Sequence, residues 1–172
     1  KLNTADPALT IVRGDVMNPA DVDTALPGHE AVLIALGAGA KGKIRATGTR
    51  HVIEAMQTHS VRRLICLSSL GVGDSRGNLN FLWKYVMFGI LLRRAYADHV
   101  AQEQTVRESG LDWTVVRPGA FVDGGVTGSF RHGFPKDTKG LKLKVSRADV
   151  AGFMLEQLAS DAYLRRLPGL SY

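Results

Sequence analysis

Two stretches of the chain are apolar without interruption: Ala31-Val32-Leu33-Ile34-Ala35-Leu36, closed by Gly37-Ala38-Gly39, and Leu64-Ile65-Cys66-Leu67 inside the run from Arg63 to Ser69. Continuity rather than alternation predicts strands covered on both faces, as in a parallel sheet. Asp112 to Arg117 repeats the pattern and is stopped by Pro118-Gly119, and Leu9 to Gly14 has the β-branched content of an earlier strand. Leu141 to Val145 alternates with lysines, as a half-exposed strand does. Between these runs the period becomes helical. Asn18-Pro19-Ala20-Asp21 supplies a cap and a proline for a short helix with Val22, Ala25 and Leu26 on one face, ended by Pro27-Gly28. Ile44, Val52, Ile53 and Met56 mark a helix over 44–58. A long helical stretch closes near Glu108-Ser109-Gly110, and Ser146-Arg147-Ala148-Asp149 opens a last helix reaching about Ala159. Strand and helix alternating at intervals of roughly 25 to 35 residues predict right-handed crossovers and an α/β fold, a Rossmann-like, three-layer, doubly wound parallel sheet. No linker or repeat interrupts it, so residues 1–172 read as a single domain.

Phe81 to Leu92 is the most apolar stretch. It is about 12 residues long and holds Lys84, short of the roughly 20 apolar residues that span a bilayer. A core helix is the first reading. A helix at a subunit interface, the candidate contact of a homodimer, or over a substrate cleft is the second.

Composition narrows the classes without choosing among them. With 45% hydrophobic and 22% charged residues, the chain excludes disorder, collagen-like repeats and a membrane bundle. Its 22 Lys and Arg against 16 Asp and Glu give a net charge of +6, which favours anionic ligands. The excess is scattered over doublets such as Arg62-Arg63, Arg93-Arg94 and Arg165-Arg166, with no basic tract for nucleic acid. The expected partner is a small-molecule acceptor, with no nucleic acid and no membrane. The one cysteine, Cys66, sits in a buried-strand pattern and reads as an inert core thiol of a reducing, cytoplasmic compartment. The chain begins at Lys1 rather than Met, which suggests that the start of a longer protein is absent.

In open parallel sheets, ligands bind beyond the carboxyl ends of the strands, where loops and helix amino termini converge. Those ends carry Gly14-Asp15-Val16, Gly37-Ala38-Gly39, Ser68-Ser69-Leu70-Gly71 and Pro118-Gly119-Ala120-Phe121. All are small or polar, so a flat ligand can lie across them. Gly14-Asp15-Val16, Ala35-Leu36-Gly37, Gly48-Thr49-Arg50-His51-Val52-Ile53-Glu54-Ala55-Met56, Leu67-Ser68-Ser69, Ser109-Gly110-Leu111-Asp112-Trp113-Thr114 with Arg117-Pro118-Gly119, and Ser146-Arg147-Ala148-Asp149-Val150-Ala151 resemble the atypical, NmrA-like branch of the short-chain dehydrogenase/reductase superfamily. Asp98-His99, Val106 to Leu111 and Gly152-Phe153-Met154-Leu155 are most similar to its biliverdin-IXβ reductase/flavin reductase group. The resemblance runs from about Val12 to Tyr172.

The resemblance implies NADP (or NAD) as cofactor, bound by a Rossmann-like domain. Such proteins begin with a strand, a Gly-x-x-Gly-x-x-Gly turn, a helix and a second strand, and no segment here matches that turn, so this first βαβ unit is expected to be missing. For the rest of the cradle the resemblance implies that Asp15 and Val16 border the adenine, that Leu36 and Gly37 pass under the ribose and nicotinamide side, and that Pro118 and Gly119 hold the carboxamide. Each also has a plain structural use: a helix-leading Asp, a core Val, strand-end turns, a strand stop.

For catalysis, Ser69 matches the functional serine of the flavin reductase pattern, and Ser68 beside it could hydrogen-bond substrate or nicotinamide; both could instead satisfy strand-end backbone groups. His99 matches the pattern too, with a surface or capping role as its alternative. Tyr96 has Val100 where the superfamily's Tyr-x-x-x-Lys motif has its lysine, although Glu103 falls where that motif's following glutamate would be. The charge that activates the tyrosine is gone. Few acids suit hydride addition to a delocalised acceptor, so the expected function is an NAD(P)H-dependent reductase of a flavin or a tetrapyrrole-like molecule. The alternative is a catalytically silent NAD(P)-binding sensor or assembly factor of the NmrA-like type. Five histidines without i, i+4 pairing and without a Cys pair give no metal site.

Overall fold

A computed structural model describes residues 6–172. The first helix, α1 (Pro19–Ala25), starts where its cap and proline place it: the Asn18 side chain accepts from Ala20 N at 3.2 Å and Pro19 occupies the first turn. Val22 and Leu26 are buried and Ala25 half-buried along one side. After β1 (Ala31–Ile34), α2 (Ile44–Thr58) buries Val52, Ile53 and Met56. β2 (Arg63–Leu67), α3 (Arg93–Glu108), β3 (Asp112–Pro118), β4 (Ala120–Val122), β5 (Arg131–His132), β6 (Lys144–Ser146), α4 (Arg147–Glu156) and β7 (Gly169–Ser171) follow.

The main sheet has the order β1-β2-β3-β7-β5. β1, β2, β3 and β7 run parallel, with Ala31 opposite Arg63, Arg63 opposite Asp112 and Arg117 opposite Gly169, and β5 closes the edge antiparallel. β4 and β6 form a separate parallel pair. Within β2 and β3 alternate residues face opposite layers. Leu64, Cys66, Trp113 and Val115 pack with Val52, Met56 and Val106 from α2 and α3. Ile65 and Val116 pack with Val150, Phe153 and Met154 of α4. Helices therefore cover both faces, and the Rossmann-like α/β class is what the structure has. Cys66 is buried in the first of these layers, which pushes its thiol pKa up and leaves it un-ionised.

Three expectations need correction. Leu9 to Gly14 is not a strand: no ladder neighbour flanks it among the described residues, and Leu9, Ile11 and Val12 are 49%, 53% and 65% exposed. β-branched content is a preference that only pairing converts into a strand. β1 stands at the end of the strand order, so Leu33 is exposed rather than covered on both sides. Phe81 to Leu92 is not a core helix. Leu82–Leu91 forms a π-helix in which Phe88 alone is buried, while Phe81, Leu82, Tyr85, Ile90 and Leu91 face out. No helix of the described residues is long and apolar enough to cross a membrane.

Candidate functional site

The parallel strands share a rim at their carboxyl ends, and a cleft of about 430 Å³ opens there. This falls within the range of roughly 300–1,000 Å³ usual for small-molecule sites. Its floor is built from the residues just past three strands: Leu36 and Gly37 after β1, Ser68 and Ser69 after β2, Pro118 and Gly119 at the end of β3. Trp83, Phe88 and Leu92 form an apolar wall, so the π-helix lies over the cleft rather than inside the core. Residues 123–139 do not line it.

Asp15 and Val16 lie outside the cleft. Asp15 is exposed and shapes its own turn, its carboxylate accepting from Met17 N at 2.9 Å. Val16 is half-buried, with its carbonyl 3.0 Å from His51 Nδ1. It sits behind Leu36: a Cβ on Gly48 would stand 2.9 Å from both Leu36 Cδ1 and the Val16 methyl carbons, so this glycine lets α2 close on the two. Gly119 has a similar reason. A Cβ there would meet the Leu143 backbone at 2.5 Å, so its residue type is set by the crossing of β3 over the β6 strand entrance. Gly37 is different, because a Cβ built on it meets nothing within 4 Å and points into open space.

Polar groups reach the cleft through a buried network on α3 that sequence reading largely missed. Arg117, 2% exposed, forks onto Glu103, with Nε donating to Oε1 at 2.8 Å and Nη2 to Oε2 at 2.6 Å, and Nη1 donates to Asp74 at 2.6 Å. Burial alone would raise the Asp74 carboxyl; the hydrogen bond and charge of Arg117 hold it below the usual range. Ser68 Oγ donates to Glu103 Oε1 at 2.7 Å. Its single hydrogen is thereby committed, and Ser68 meets the cleft as an acceptor. Ser69 makes only a 3.4 Å contact to the Leu70 carbonyl, which leaves its hydroxyl free to turn to a ligand.

His99 lines the same cleft. Burial, with the Arg45 charge beside it, pushes its pKa down to about 4, so the ring is neutral at physiological pH. Gln102 Nε2 donates to Thr49 Oγ1 at 3.0 Å, which leaves Gln102 Oε1 as the partner of His99 Nδ1 at 3.3 Å. The proton is therefore assigned to Nδ1 and the lone pair to Nε2. Tyr96 does not line the cleft; it packs on Phe88 with ring centroids 5.4 Å apart. Among the described residues, the titratable groups that line the cleft are thus a neutral histidine and Arg45, with no carboxylic acid.

One glycine pattern went unread in the sequence. Gly37-Ala38-Gly39-Ala40-Lys41-Gly42 has Gly-x-Gly-x-x-Gly spacing between β1 and α2, the order in which phosphate loops occur. Two donors of the α2 amino terminus are already taken, however: the Asp98 carboxylate accepts from Arg45 N and Ala46 N at 3.1 Å each. This terminus is capped by the protein itself and is no open phosphate nest.

A protein-family model described as NAD(P)H-binding matches residues 1–161. The chain belongs to this NAD(P)H-binding family. Among solved structures, the anaerobillin reductase ChuY of Escherichia coli O157:H7 is similar at 28% identity over 91% of this chain and 72% of that one, with a TM-score of 0.71. A short-chain dehydrogenase/reductase of Veillonella parvula, solved with NADP, shares the fold at TM-score 0.78 and 19% identity, over 98% of this chain and 74% of that one. The expected NAD(P)-binding family is thereby borne out, with a fold shared by a solved short-chain dehydrogenase/reductase and a reductase among the similar structures. Among curated proteins, the UPF0659 protein YMR090W of Saccharomyces cerevisiae is 28% identical over 80% of this chain and 60% of its own length. The uncharacterized chloroplastic protein At2g34460 of Arabidopsis thaliana is 27% identical over 91% and 58%. The chain spans about three fifths of the length of these curated relatives.

The residues present fit such a cofactor. The floor is open above Gly37 and is supplied with one accepting serine and one uncommitted serine.

Proposed function

We propose that this protein is an NAD(P)H-dependent oxidoreductase that reduces a flat, conjugated acceptor of the flavin or tetrapyrrole kind, and that residues 1–172 belong to a single Rossmann-like domain. The observation that carries the reading is the cleft itself: a floor of strand-end residues, aromatic and aliphatic walls, and, among the described residues, no lining carboxylic acid and a neutral histidine. Reduction of an isolated ketone calls for a proton donor at the developing alkoxide. An extended π-system instead spreads the incoming charge and takes its proton from water. The reductase activity named for the Escherichia coli neighbour agrees in class.

When bound, the reduced nicotinamide supplies the hydride. The chain contributes position and dryness. Leu36 and Gly37 let the ligand lie close to the β1 tip, Ser68 accepts a hydrogen bond with an orientation fixed by Glu103 and Arg117, and Ser69 is free to donate. Trp83, Phe88 and Leu92 offer a π-stacking and apolar surface to the acceptor while excluding water from one side. The missing Tyr-x-x-x-Lys pair favours a second reading, a silent nucleotide-binding sensor. Oxidation of NADPH by the complete protein with FMN or dichlorophenolindophenol separates the two: turnover supports the reductase, and tight nucleotide binding with no turnover on any acceptor supports the sensor.

A further inference from the structure

Arg45 is the second residue of α2, and its side chain, 8% exposed, lines the cleft. A guanidinium carries five N–H donors and keeps its charge at any physiological pH. Among the described residues its side chain has a single partner, Asp98 Oδ2, at a long 3.4 Å from Nη1, and Nε has none. Asp98 does not meet the need, because its carboxylate is engaged in capping α2 through the Arg45 and Ala46 backbone N–H groups. Arg117 shows what the same chain provides for an arginine it uses structurally: three bonds of 2.6–2.8 Å to two carboxylates. Arg45 has nearly the burial of Arg117 without its partners, and its side chain lines a ligand-sized cleft.

We propose that Arg45 is a recognition residue for an oxyanion of the bound ligand, a carboxylate or phosphate that accepts from its under-partnered guanidinium in the fork that arginine offers to such groups. The proposal rests on the reductase reading for the identity of the ligand. The oxyanion belongs either to the acceptor or to the nucleotide. In either case the ligand is anionic, and the net charge of +6 draws it in.

The test compares the complete wild-type protein with Arg45→Met and Arg45→Lys, using three probes followed by fluorescence: FMN, lumiflavin and NADPH. Lumiflavin has the ring of FMN without its phosphate. Arg45→Met should weaken binding of one charged probe by about 10- to 100-fold, the cost of a lost charged hydrogen bond, and leave lumiflavin within two-fold. Loss on FMN alone places the oxyanion on the acceptor, and loss on NADPH alone places it on the nucleotide. Arg45→Lys, which keeps the charge beside Asp98 but not the fork, should show a smaller loss of the same kind; it decides the matter if the methionine variant fails to fold. Unchanged binding of both charged probes, an equal loss on lumiflavin, or a wild type that binds neither FMN nor NADPH overturns the proposal. A wild type that binds the probes but oxidises NADPH with neither FMN, lumiflavin nor dichlorophenolindophenol overturns the reductase reading alone.

Discussion

Two aspartates sit against helix amino termini in this molecule, and their surroundings differ. Asp149, in the first turn of α4, accepts from Thr127 N and Thr127 Oγ1 at 2.7 Å, from Gly128 N at 3.0 Å and from Tyr172 Oη at 2.6 Å. Burial alone would raise its carboxyl, and these hydrogen bonds outweigh it and hold the pKa well below the usual range. Asp98, against α2, also accepts two backbone N–H groups, yet its guanidinium neighbour Arg45 keeps a buried donor without a partner. The first cluster is closed: it ties Thr127, Gly128 and Tyr172 to α4 and has no donor to spare. The second is open on the side of the cleft. Natural structures satisfy nearly all buried polar groups, so an exception at a cavity wall is where a ligand is to be sought.

The sharpest way to break this comparison is to open the closed cluster. Asp149→Ala removes four accepted hydrogen bonds and should cost about 3 kcal/mol in urea unfolding, while the remaining folded protein binds NADPH as before. A loss of nucleotide affinity without loss of stability would reverse the two assignments.

The next effect is a pH dependence specific to the open cluster. His99 faces Arg45, Asp98, Gln102 and Glu103, and its pKa is near 4 when folded, against about 6.5 when unfolded. The unfolded chain binds the proton more tightly. The histidine's contribution is therefore whole above the unfolded value and is lost as pH falls from about 6.5 to about 4. Between pH 7 and pH 5 it should amount to about 2 kcal/mol. Unfolding measured at both pH values should show that difference in the wild type and not in His99→Gln; equal slopes would mean that the ring is solvated and not part of a dry wall.

A smaller change sharpens the account of the floor. Ser69→Ala should lower turnover by about ten-fold or more, equivalent to roughly 1.4 kcal/mol, with no change in thermal midpoint. An unchanged rate would make Ser69 a strand-end residue only.

What was legible in the sequence was local. Asn18-Pro19 and Ser146-Arg147-Ala148-Asp149 carry their own caps, and the strand tips at Gly37, Ser68-Ser69 and Pro118-Gly119 follow from the topology of any parallel sheet. What was not legible depends on partners distant in the chain. Arg45 meets Asp98 across 53 positions, and nothing near it marks it as buried. Arg117 did leave a signal, a charge at the end of an apolar run that had to find a counter-charge, which Glu103 supplies. Leu9 to Gly14 was misread because strand pairing is non-local. Phe81 to Leu92 was misread because its apolar composition, not its periodicity, suggested the core.

The central claim is that the rim of the parallel strands receives a nicotinamide nucleotide across Gly37. It is tested most directly by NADPH titration of the complete protein and its Gly37→Val variant, followed by fluorescence. The open space above Gly37 predicts that valine leaves the thermal midpoint unchanged and abolishes or strongly weakens binding. NADPH binding that survives the valine, or a wild type that binds no nicotinamide nucleotide, would contradict it.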